Sequence, residues 1–200
     1  MDKTALFKIG YGLFAITAKD GEKDNGCIIN TFMQVTSDPV TAVFALNKAN
    51  YTHDMILKTG KCNISMLTVD APFSVYEGLG MASGRDTDKL AGINGLKRAE
   101  NGILYLTENV NAYLSLEVMG TEDMGSHTLF KARVVEAENL SKAESVTYAY
   151  YHANVKPKPQ PTKKAGYRCK ICGYVYEGEE LPADYVCPLC KHPAEDFEKI

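Results

Sequence analysis

The sequence predicts a mainly β protein with two short helices, followed by a small, separate metal-binding domain. Three observations lead to this prediction. Short apolar stretches typical of strands dominate the N-terminal part, four of the six cysteines lie within the last 32 residues, and a Pro/Lys-rich connector separates the two regions. We therefore divide the 200 residues into a body (1–154), a linker (155–165) and a tail (166–200).

Five apolar, β-prone stretches carry the prediction of strands in the body. Several of them alternate between faces, as half-buried antiparallel strands do. The stretches are 11–18, 40–46, 62–67, 112–118 and 129–135. Two short helices interrupt them, one over about 52–58 and one over about 72–79, where a proline is allowed in the first turn. Many short strands with few helices favour a closed or nearly closed β-barrel.

The linker is recognised by its composition. Residues 155–164 contain three prolines and four lysines. Alternating prolines favour the extended polyproline II conformation, so the sequence predicts a semi-rigid spacer.

The tail contains two Cys-x-x-Cys pairs, a pattern that indicates a metal site. Cys169 and Cys172 form the first pair, Cys187 and Cys190 form the second, and 14 residues separate them. In a reducing compartment, clustered cysteines indicate metal rather than a disulfide. Four thiolates suit a tetrahedral zinc or iron site, and spacing alone leaves both metals open.

The remaining cysteines and two of the histidines form no catalytic set. Cys27 and Cys62 stand alone in strand-like stretches, so we expect small buried side chains. His53 is expected on the surface of the first helix, and His192 in a solvated loop. The sequence predicts no catalytic acid, base or nucleophile.

The composition excludes several classes of function. Hydrophobic residues make up 45% and charged residues 24%, which is ordinary for a globular protein. The net charge of −3 gives no attraction to nucleic acid or to an anionic membrane. No apolar run approaches the roughly 20 residues that span a bilayer, and the N-terminus lacks the apolar core of a secretory signal. We expect a cytoplasmic protein.

The residues around the four cysteines resemble rubredoxin over essentially the whole tail. The matching segments are 167–176, 181–190 and 196–200. The resemblance implies a single iron that alternates between the ferrous and ferric states, with structural zinc as the alternative. It also implies that Gly173 takes a positive φ, which turns backbone N–H groups toward the sulfurs.

The tail departs from rubredoxin in three features, none of which removes a ligand. The gap between the cysteine pairs is shorter than in free-standing rubredoxins. Tyr185 stands where tryptophan is usual, and Lys191 stands where glycine is usual, at a cost of ~1 kcal/mol if φ is positive. Four aromatic side chains are expected to form most of the core: Tyr167, Tyr174, Tyr185 and Phe197.

The body contains three polar clusters instead of a dinucleotide-binding loop. Gly78-Leu79-Gly80-Met81-Ala82-Ser83 lacks the last glycine of G-x-G-x-x-G and follows a helix rather than a strand. The polar clusters lie at 26–39, 47–53 and 83–86. Taken alone, such residues are usually caps and turns. An iron centre in the tail nevertheless needs a donor of single electrons, and a flavin takes up two electrons and releases them singly.

At these clusters the order of residues is similar to the flavin reductase and flavoredoxin family, the FMN-binding split β-barrels. The similarity extends over about residues 5–150 and includes 126–130. Together with the tail, the chain resembles the fused flavin reductase–rubredoxin proteins of anaerobes, also called high-molecular-weight rubredoxins. The family implies a homodimer with its flavin near the subunit interface.

The resemblance implies two groups of flavin contacts. The isoalloxazine and ribityl contacts are Asn30, Thr31, Phe32, Gln34, Val35 and Thr36. The phosphate contacts are Asn47, Lys48, Tyr51 and Thr52 near a helix start, with Ser83, Gly84 and Arg85 forming a charged turn from the same or the partner subunit. The family's usual Asp before the late His is Ser126 here, so no specific role is assigned to His127.

The fused family implies an electron-transfer oxidoreductase. NAD(P)H, or a protein donor, supplies electrons to FMN, the tail iron receives them, and a redox protein accepts them, such as a flavodiiron protein that removes oxygen or nitric oxide. Two alternatives stay open: a free-flavin reductase with a zinc-stabilised binding module, and a non-enzymatic relay that takes electrons only from proteins. In each case the protein positions the cofactor and needs no acid–base residue.

Overall fold

The computed structural model describes residues 2–157 and 166–200. The chain divides into two compact units, Met1–Val155 and Lys156–Ile200. The predicted linker contains the junction between them, and its residues 158–165 lie outside the described residues. Val155 ends a helical turn of the first unit.

The first unit is mainly β, as the sequence predicts. Its strands are β1 (Phe14–Asp20), β2 (Lys23–Ile29), β3 (Met33–Ser37), β4 (Val40–Asn47), β5 (Lys61–Leu67), β6 (Leu96–Arg98), β7 (Leu104–Leu106), β8 (Val110–Asp123) and β9 (His127–Asn139). Its helices are α1 (Tyr51–Thr59), α2 (Phe73–Gly80) and α3 (Tyr148–Tyr150), with a 3₁₀ turn over Lys3–Lys8 and a π-helical turn over Tyr151–Val155. Within the described residues, no helix is long and apolar enough to span a membrane.

Seven of these strands form one antiparallel sheet in the order β2-β1-β5-β8-β9-β4-β3. Strands β6 and β7 pair separately as a small hairpin. The long β8–β9 ladder shifts register between Ser115 and Leu116 and again between Val118 and Gly120. Such bulges bend paired strands and increase their twist. The bends let the long β8–β9 ladder join the β5 side of the sheet to the β4 side.

The core contains two clusters, one on each face of β1. Ile16 packs in a cluster with Phe44 and Phe130, and α1 covers this cluster. Ala15, its neighbour in the chain, packs on the opposite face in the cluster that includes α2. Both residues are fully buried. Because both faces of β1 are covered, its first three residues, Phe14-Ala15-Ile16, are apolar without alternation.

Helix α1 has a defined cap at each end, and its bounds confirm the predicted helix over about 52–58. The Asn50 side chain accepts a hydrogen bond from the Thr52 N–H at 3.0 Å. Gly60 ends the helix with φ 70° and donates its N–H to the Ile56 carbonyl. The helix therefore begins at Tyr51, directly after the β4–α1 loop.

The second unit is a three-stranded sheet that supports the cysteine pairs. Its strands are β10 (Tyr167–Cys169), β11 (Val175–Tyr176) and β12 (Phe197–Lys199), in the order β11-β10-β12. Gly166 and Ile200 exchange two backbone hydrogen bonds, which join the ends of the unit. The predicted aromatic side chains pack with the cysteines in one cluster. This confirms the prediction of an aromatic core.

Candidate functional site

The four cysteines of the second unit converge on one centre. Their Sγ atoms all lie within 4.8 Å of one another, with 3.6 Å between Cys169 and Cys190 and 3.3 Å between Cys172 and Cys187. A tetrahedral site with metal–sulfur bonds of about 2.3 Å has edges of about 3.8 Å. Cys169 and Cys187 are buried, whereas the other two are half-buried. The thiols therefore fit one metal ion with one side close to solvent.

Each cysteine pair begins a turn of the same form. Gly173 N–H donates to the Cys169 carbonyl at 2.8 Å, and Lys191 N–H donates to the Cys187 carbonyl at 2.9 Å. The next residue in each turn accepts from the first cysteine: Tyr174 from Cys169, and His192 from Cys187. Gly173 has φ 78° and Lys191 has φ 61°. The positive φ predicted for Gly173 is confirmed, and Lys191 adopts the same conformation with a side chain.

Backbone N–H groups in these turns point at the sulfurs. Tyr174 N–H bonds to the Cys172 sulfur, and His192 N–H bonds to the Cys190 sulfur. Burial nonetheless raises the pKa of the Cys172 thiol to about 11 and raises the pKa of the Cys190 thiol as well. For Cys187, burial also opposes ionisation, but hydrogen bonds, led by the Cys190 N–H, outweigh it and lower the thiol pKa. These donors stabilise negative charge on sulfur, as a thiolate metal site requires.

The first predicted group of flavin contacts lies around the turn from β2 into β3. Thr31 Oγ1 donates to the Ala45 carbonyl at 2.8 Å and accepts from the Ala45 N–H, which fixes this turn against β4. Phe32 is half-buried and packs edge-on against Phe14. Asn30, Thr31 and Phe32 therefore form one ordered corner of the sheet.

Strand β3 extends from this corner as an exposed edge strand. All five of its residues are exposed, including Met33 and Val35 at 61% and 55%. The Gln34 amide donates to the Thr36 carbonyl, and the Thr36 hydroxyl bonds within the same hairpin to Thr41 and the Pro39 carbonyl. An edge strand with exposed apolar side chains offers a surface for a flat ligand or another chain.

Part of the second predicted group, Tyr51, Thr52 and the turn of residues 83–85, meets at the start of α1. Lys23 Nζ lies 4.5 Å and Arg85 Cζ lies 5.0 Å from the centroid of the Tyr51 ring. The Arg85 guanidinium also donates to Asp54 at 2.5 Å, and the Ser83 hydroxyl accepts from the Arg85 N–H. Two cations therefore flank the first residue of a helix whose N-terminal end is the positive end of its dipole.

Gly84 and Thr52 meet through a residue that the sequence reasoning did not select. The buried Asn25 side chain lies against Gly84, and its amide donates to the Thr52 hydroxyl at 3.0 Å. Asn25 belongs to β2. Through Asn25, the turn of residues 83–85 packs near the first turn of α1. The Thr52 hydroxyl is already hydrogen-bonded within the protein.

Asn47 and Lys48 form hydrogen bonds and an ion pair within the β4–α1 loop and with the end of β8 and the turn that follows it. Asn47 Oδ1 accepts from the Ala49 N–H at 2.9 Å. Lys48 Nζ forms an ion pair with Asp123 at 2.6 Å, and the Lys48 N–H donates to the Ser126 carbonyl. The two Lys48 bonds attach the β4–α1 loop to the β8–β9 turn.

The prediction that His53 lies on the helix surface is wrong. The residue is 5% exposed, and its Nε2 lies 2.9 Å from the Thr128 hydroxyl on β9. Its Nδ1 lies 2.9 Å from Asp54. The face of α1 that carries His53 packs on the sheet, where the ring also contacts Phe130. The buried environment predicted for Cys27 and Cys62 is confirmed.

Lys89 is a buried lysine near the start of α1 that sequence reasoning did not select. It is 7% exposed, and burial lowers the pKa of its amine. The neighbouring ionisable group is the buried Cys27 thiol, which also hydrogen-bonds to Thr52 and Asn50 at the start of α1. No carboxylate of residues 2–157 or 166–200 forms an ion pair with Lys89. A buried ammonium without a carboxylate is costly unless an anion accompanies it.

Comparison with known families covers both units. Residues 6–158 match the flavin reductase like domain, and residues 167–198 match the rubrerythrin, rubredoxin-like domain. The two matches agree with the two compact units.

Two curated relatives are similar to most or all of the chain. The chain is 38% identical to a high molecular weight rubredoxin of Moorella thermoacetica over an alignment that covers 100% of both chains. It is 34% identical to a ferric-chelate reductase (NAD(P)H) of Archaeoglobus fulgidus, with 85% of this chain and 100% of the relative covered.

Solved structures share the fold of the first unit. The NADH:FAD oxidoreductase SgcE6 of Streptomyces globisporus superposes with a TM-score of 0.63 at 17% identity, over 73% of this chain and 88% of that one. An FMN-binding protein from Thermus thermophilus superposes with a TM-score of 0.62 at 20% identity, over 86% of this chain and 84% of that one.

Proposed function

Because the chain belongs to the flavin reductase-like family and carries a rubredoxin-like domain, we propose that it is an oxidoreductase that moves electrons from NAD(P)H through FMN to iron. The observation that carries this proposal is the four-thiolate cluster of Cys169, Cys172, Cys187 and Cys190 in the same chain as the flavin reductase-like domain. Bound FMN supplies the chemistry that converts a two-electron donor into a source of single electrons. A protein could supply the electrons in place of NAD(P)H, and the measurements below distinguish these two donors.

The phosphate of FMN is assigned to the start of α1. Lys23 and Arg85 flank Tyr51 there, and the buried amine of Lys89 lies near Thr52 through their common neighbour Cys27. Of these three cations, Arg85 forms an ion pair with Asp54. Their positive charge therefore exceeds the negative charge of the partner carboxylate, and the excess suits a phosphate monoester. The remaining predicted phosphate contacts, Asn47, Lys48, Ser83 and Gly84, shape the loops around this position.

The isoalloxazine is assigned to the β2–β3 corner. Asn30, Thr31 and Phe32 are held there by the Thr31–Ala45 bonds and the Phe32–Phe14 contact, and Gln34, Val35 and Thr36 continue along β3. The exposed side chains of β3 support a homodimer in which a second copy covers this strand, since an open apolar edge is unfavourable in water. The arrangement of that dimer decides whether Arg85 contacts the FMN phosphate of its own subunit or of the partner subunit.

Iron is the proposed metal of the second unit. The hydrogen bonds from backbone N–H groups to sulfur lower the charge density on the ligands, which is a main determinant of iron–sulfur potentials. Cys172 and Cys190 are half-buried, and Val186 and Leu189 beside the second pair are 52% and 44% exposed. A redox protein, such as a flavodiiron protein, is the proposed acceptor at this apolar surface.

The experiment follows electrons through the full chain under anaerobic conditions. NADH or NADPH is added to FMN-loaded protein, and flavin absorbance, iron absorbance and reduction of an added acceptor are recorded. Cys172→Ser removes a metal ligand, so we expect flavin reduction at the wild-type rate and loss of acceptor reduction. Cys62→Ala, which removes a buried thiol of the first unit, is the control and should retain both.

The outcomes separate the alternatives. Acceptor reduction that persists in Cys172→Ser contradicts the proposed order of carriers. Flavin reduction by a protein donor but not by NADH or NADPH identifies a relay. Zinc in place of iron, with flavin reduction intact, identifies a free-flavin reductase with a structural metal module.

A further inference from the structure

A hydrogen-bond network runs through the first unit from β9 to the proposed phosphate position. It begins at Thr128 on β9, whose hydroxyl lies 2.9 Å from His53 Nε2. His53 Nδ1 lies 2.9 Å from Asp54 Oδ1, and Asp54 Oδ2 accepts from the Arg85 guanidinium at 2.5 Å. Thr128 and His53 are buried, whereas Asp54 is half-buried and Arg85 is exposed. The network therefore connects the core to a cation that the flavin assignment places at the phosphate.

The two neighbours of the His53 ring fix the proton of its neutral form. Hydrogen bonds from His53 and Arg85 lower the pKa of Asp54, so this carboxylate is ionised and only accepts. Nδ1 then carries the proton of the ring, and Nε2 accepts from the Thr128 hydroxyl. The ring also meets Phe130 edge-on, with 5.7 Å between the ring centroids. His53 therefore presents one N–H to Asp54 in a fixed direction.

The contact with His53 determines how Asp54 binds Arg85. Asp54 directs Oδ1 at the ring and only Oδ2 at the guanidinium. The Asp24–Arg98 pair of the same unit shows the alternative, because both oxygens of Asp24 accept from Arg98, at 3.0 Å and 2.7 Å. Such a two-oxygen contact occupies two donor groups of an arginine. The one-oxygen contact leaves more of the Arg85 donors for an anion.

Two contacts hold the Arg85 guanidinium in place. Asp54 accepts from its Nη2, and its Cζ lies 5.0 Å from the centroid of the Tyr51 ring. Within residues 2–157 and 166–200, no second carboxylate pairs with this guanidinium. An exposed ion pair restrains its side chains weakly, because both must be ordered to form it. Here the buried His53 ring already orders Asp54, which lowers the cost of placing Arg85.

We propose that His53 is a positioning residue for flavin binding, which keeps Asp54 in a one-oxygen contact with Arg85 and so leaves the guanidinium available to the FMN phosphate. The proposal rests on the proposed flavin site. His53 itself is buried and acts only through Asp54 and Arg85. Its effect is therefore expected in the binding of a flavin that carries a phosphate, and not in the binding of riboflavin.

The test compares FMN and riboflavin binding to flavin-free, full-length protein by fluorescence titration. His53→Asn places an amide N–H where Nδ1 lies, so it keeps the donor to Asp54. His53→Gln places its amide where Nε2 lies, so it keeps the contact with Thr128 and loses the donor to Asp54. We expect His53→Gln to bind FMN about tenfold more weakly than His53→Asn does, with equal riboflavin affinities. His152→Gln, which changes a half-buried histidine of the helical turn after α3, is the control and should match the wild type.

A double-mutant cycle tests whether His53 acts through Arg85. In an Arg85→Met background, His53→Gln and His53→Asn should bind FMN equally, because the guanidinium through which they differ is absent. Nitrogen-15 NMR of the wild type needs no variant at His53 and remains decisive if the variants do not fold. The neutral ring should carry its proton on Nδ1.

The outcomes separate this proposal from the flavin site on which it rests. Equal FMN affinities of His53→Gln and His53→Asn overturn it, as does a difference that extends to riboflavin or persists without Arg85. A neutral ring that carries its proton on Nε2 also overturns it. Wild-type protein that binds FMN no more tightly than riboflavin instead overturns the phosphate site, and the role of His53 fails with it.

Discussion

The Asn25 side chain occupies the space beside Gly84 that any larger residue would need. A Cβ on Gly84 would lie 2.6 Å from Asn25 Cγ, and both residues are buried. The Asn25 amide donates to the Thr52 hydroxyl. One close contact thereby joins β2, the turn before Arg85 and the first turn of α1, the three segments that surround the proposed phosphate position.

Gly84→Ala is predicted to destabilise this junction. The new methyl group must displace Asn25, which leaves its buried amide and the Thr52 hydroxyl without their mutual hydrogen bond. We expect a loss of about 1–3 kcal/mol in the free energy of unfolding, measured by urea denaturation. Gly92→Ala is the control, because nothing lies within 4 Å of a Cβ at Gly92. Equal stability of the two variants would disprove the role of this contact.

Lys89→Met is predicted to weaken the binding of FMN but not of riboflavin. Loss of a charge-assisted hydrogen bond to phosphate corresponds to about 1.5–3 kcal/mol, or tenfold to a hundredfold in the dissociation constant. Riboflavin lacks the phosphate and serves as the internal control in a fluorescence titration. Lys97→Met removes an exposed lysine and should change neither affinity. An equal loss for both flavins would show that Lys89 supports the fold instead.

Lys191→Gly is predicted to stabilise the second unit. The residue has φ 61°, a conformation that costs a non-glycine residue ~1 kcal/mol. The reverse experiment is Gly173→Ala at the equivalent position, where φ is 78°, and it should lower stability by a similar amount. The temperature at which the metal absorbance disappears reports both changes. The account fails here if the two substitutions shift that temperature in the same direction.

Asp54→Asn is predicted to change the acid sensitivity of the first unit. Hydrogen bonds from His53 and Arg85 lower the pKa of Asp54 below its usual 3.8. The ionised carboxylate therefore contributes stability above about pH 4, and this contribution disappears as the pH falls through the lowered pKa. The effect should be small because the side chain is 45% exposed. Urea midpoints from pH 5 to pH 2 should fall less steeply in Asp54→Asn than in the wild type, and parallel curves would refute the assignment.

Local patterns in the sequence were sufficient for most elements. The strands around Val43, Ile64 and Leu114 follow from apolar runs, the first helix was placed over about 52–58, and the metal cluster follows from cysteine spacing. Only the second half of β2, around Cys27, was recognised as strand-like; the first half was missed because Lys23-Asp24-Asn25 is a polar segment that no apolar pattern marks. Its burial depends on a hydrogen bond from Asn25 to Thr52, 27 residues along the chain.

The residues that were misplaced or missed at the candidate site also depend on contacts between segments far apart in the chain. His53 was placed on the surface because the sequence of a helix does not show which of its flanks meets a distant strand, here Thr128 on β9. Lys89 gave no signal, since a lysine that directly follows Asp86-Thr87-Asp88 in a loop is normally solvated. Its importance depends on burial beside Cys27, a contact between segments far apart in the chain.

The absorption spectrum of the purified full chain, with flavin and metal content measured on the same sample, tests the central claim most directly. We predict one FMN and one iron per chain, with the red absorption of a four-thiolate iron site added to the yellow of the flavin, and both bleached by anaerobic NADH or NADPH. A colourless protein that contains zinc and neither holds nor takes up flavin would contradict the account.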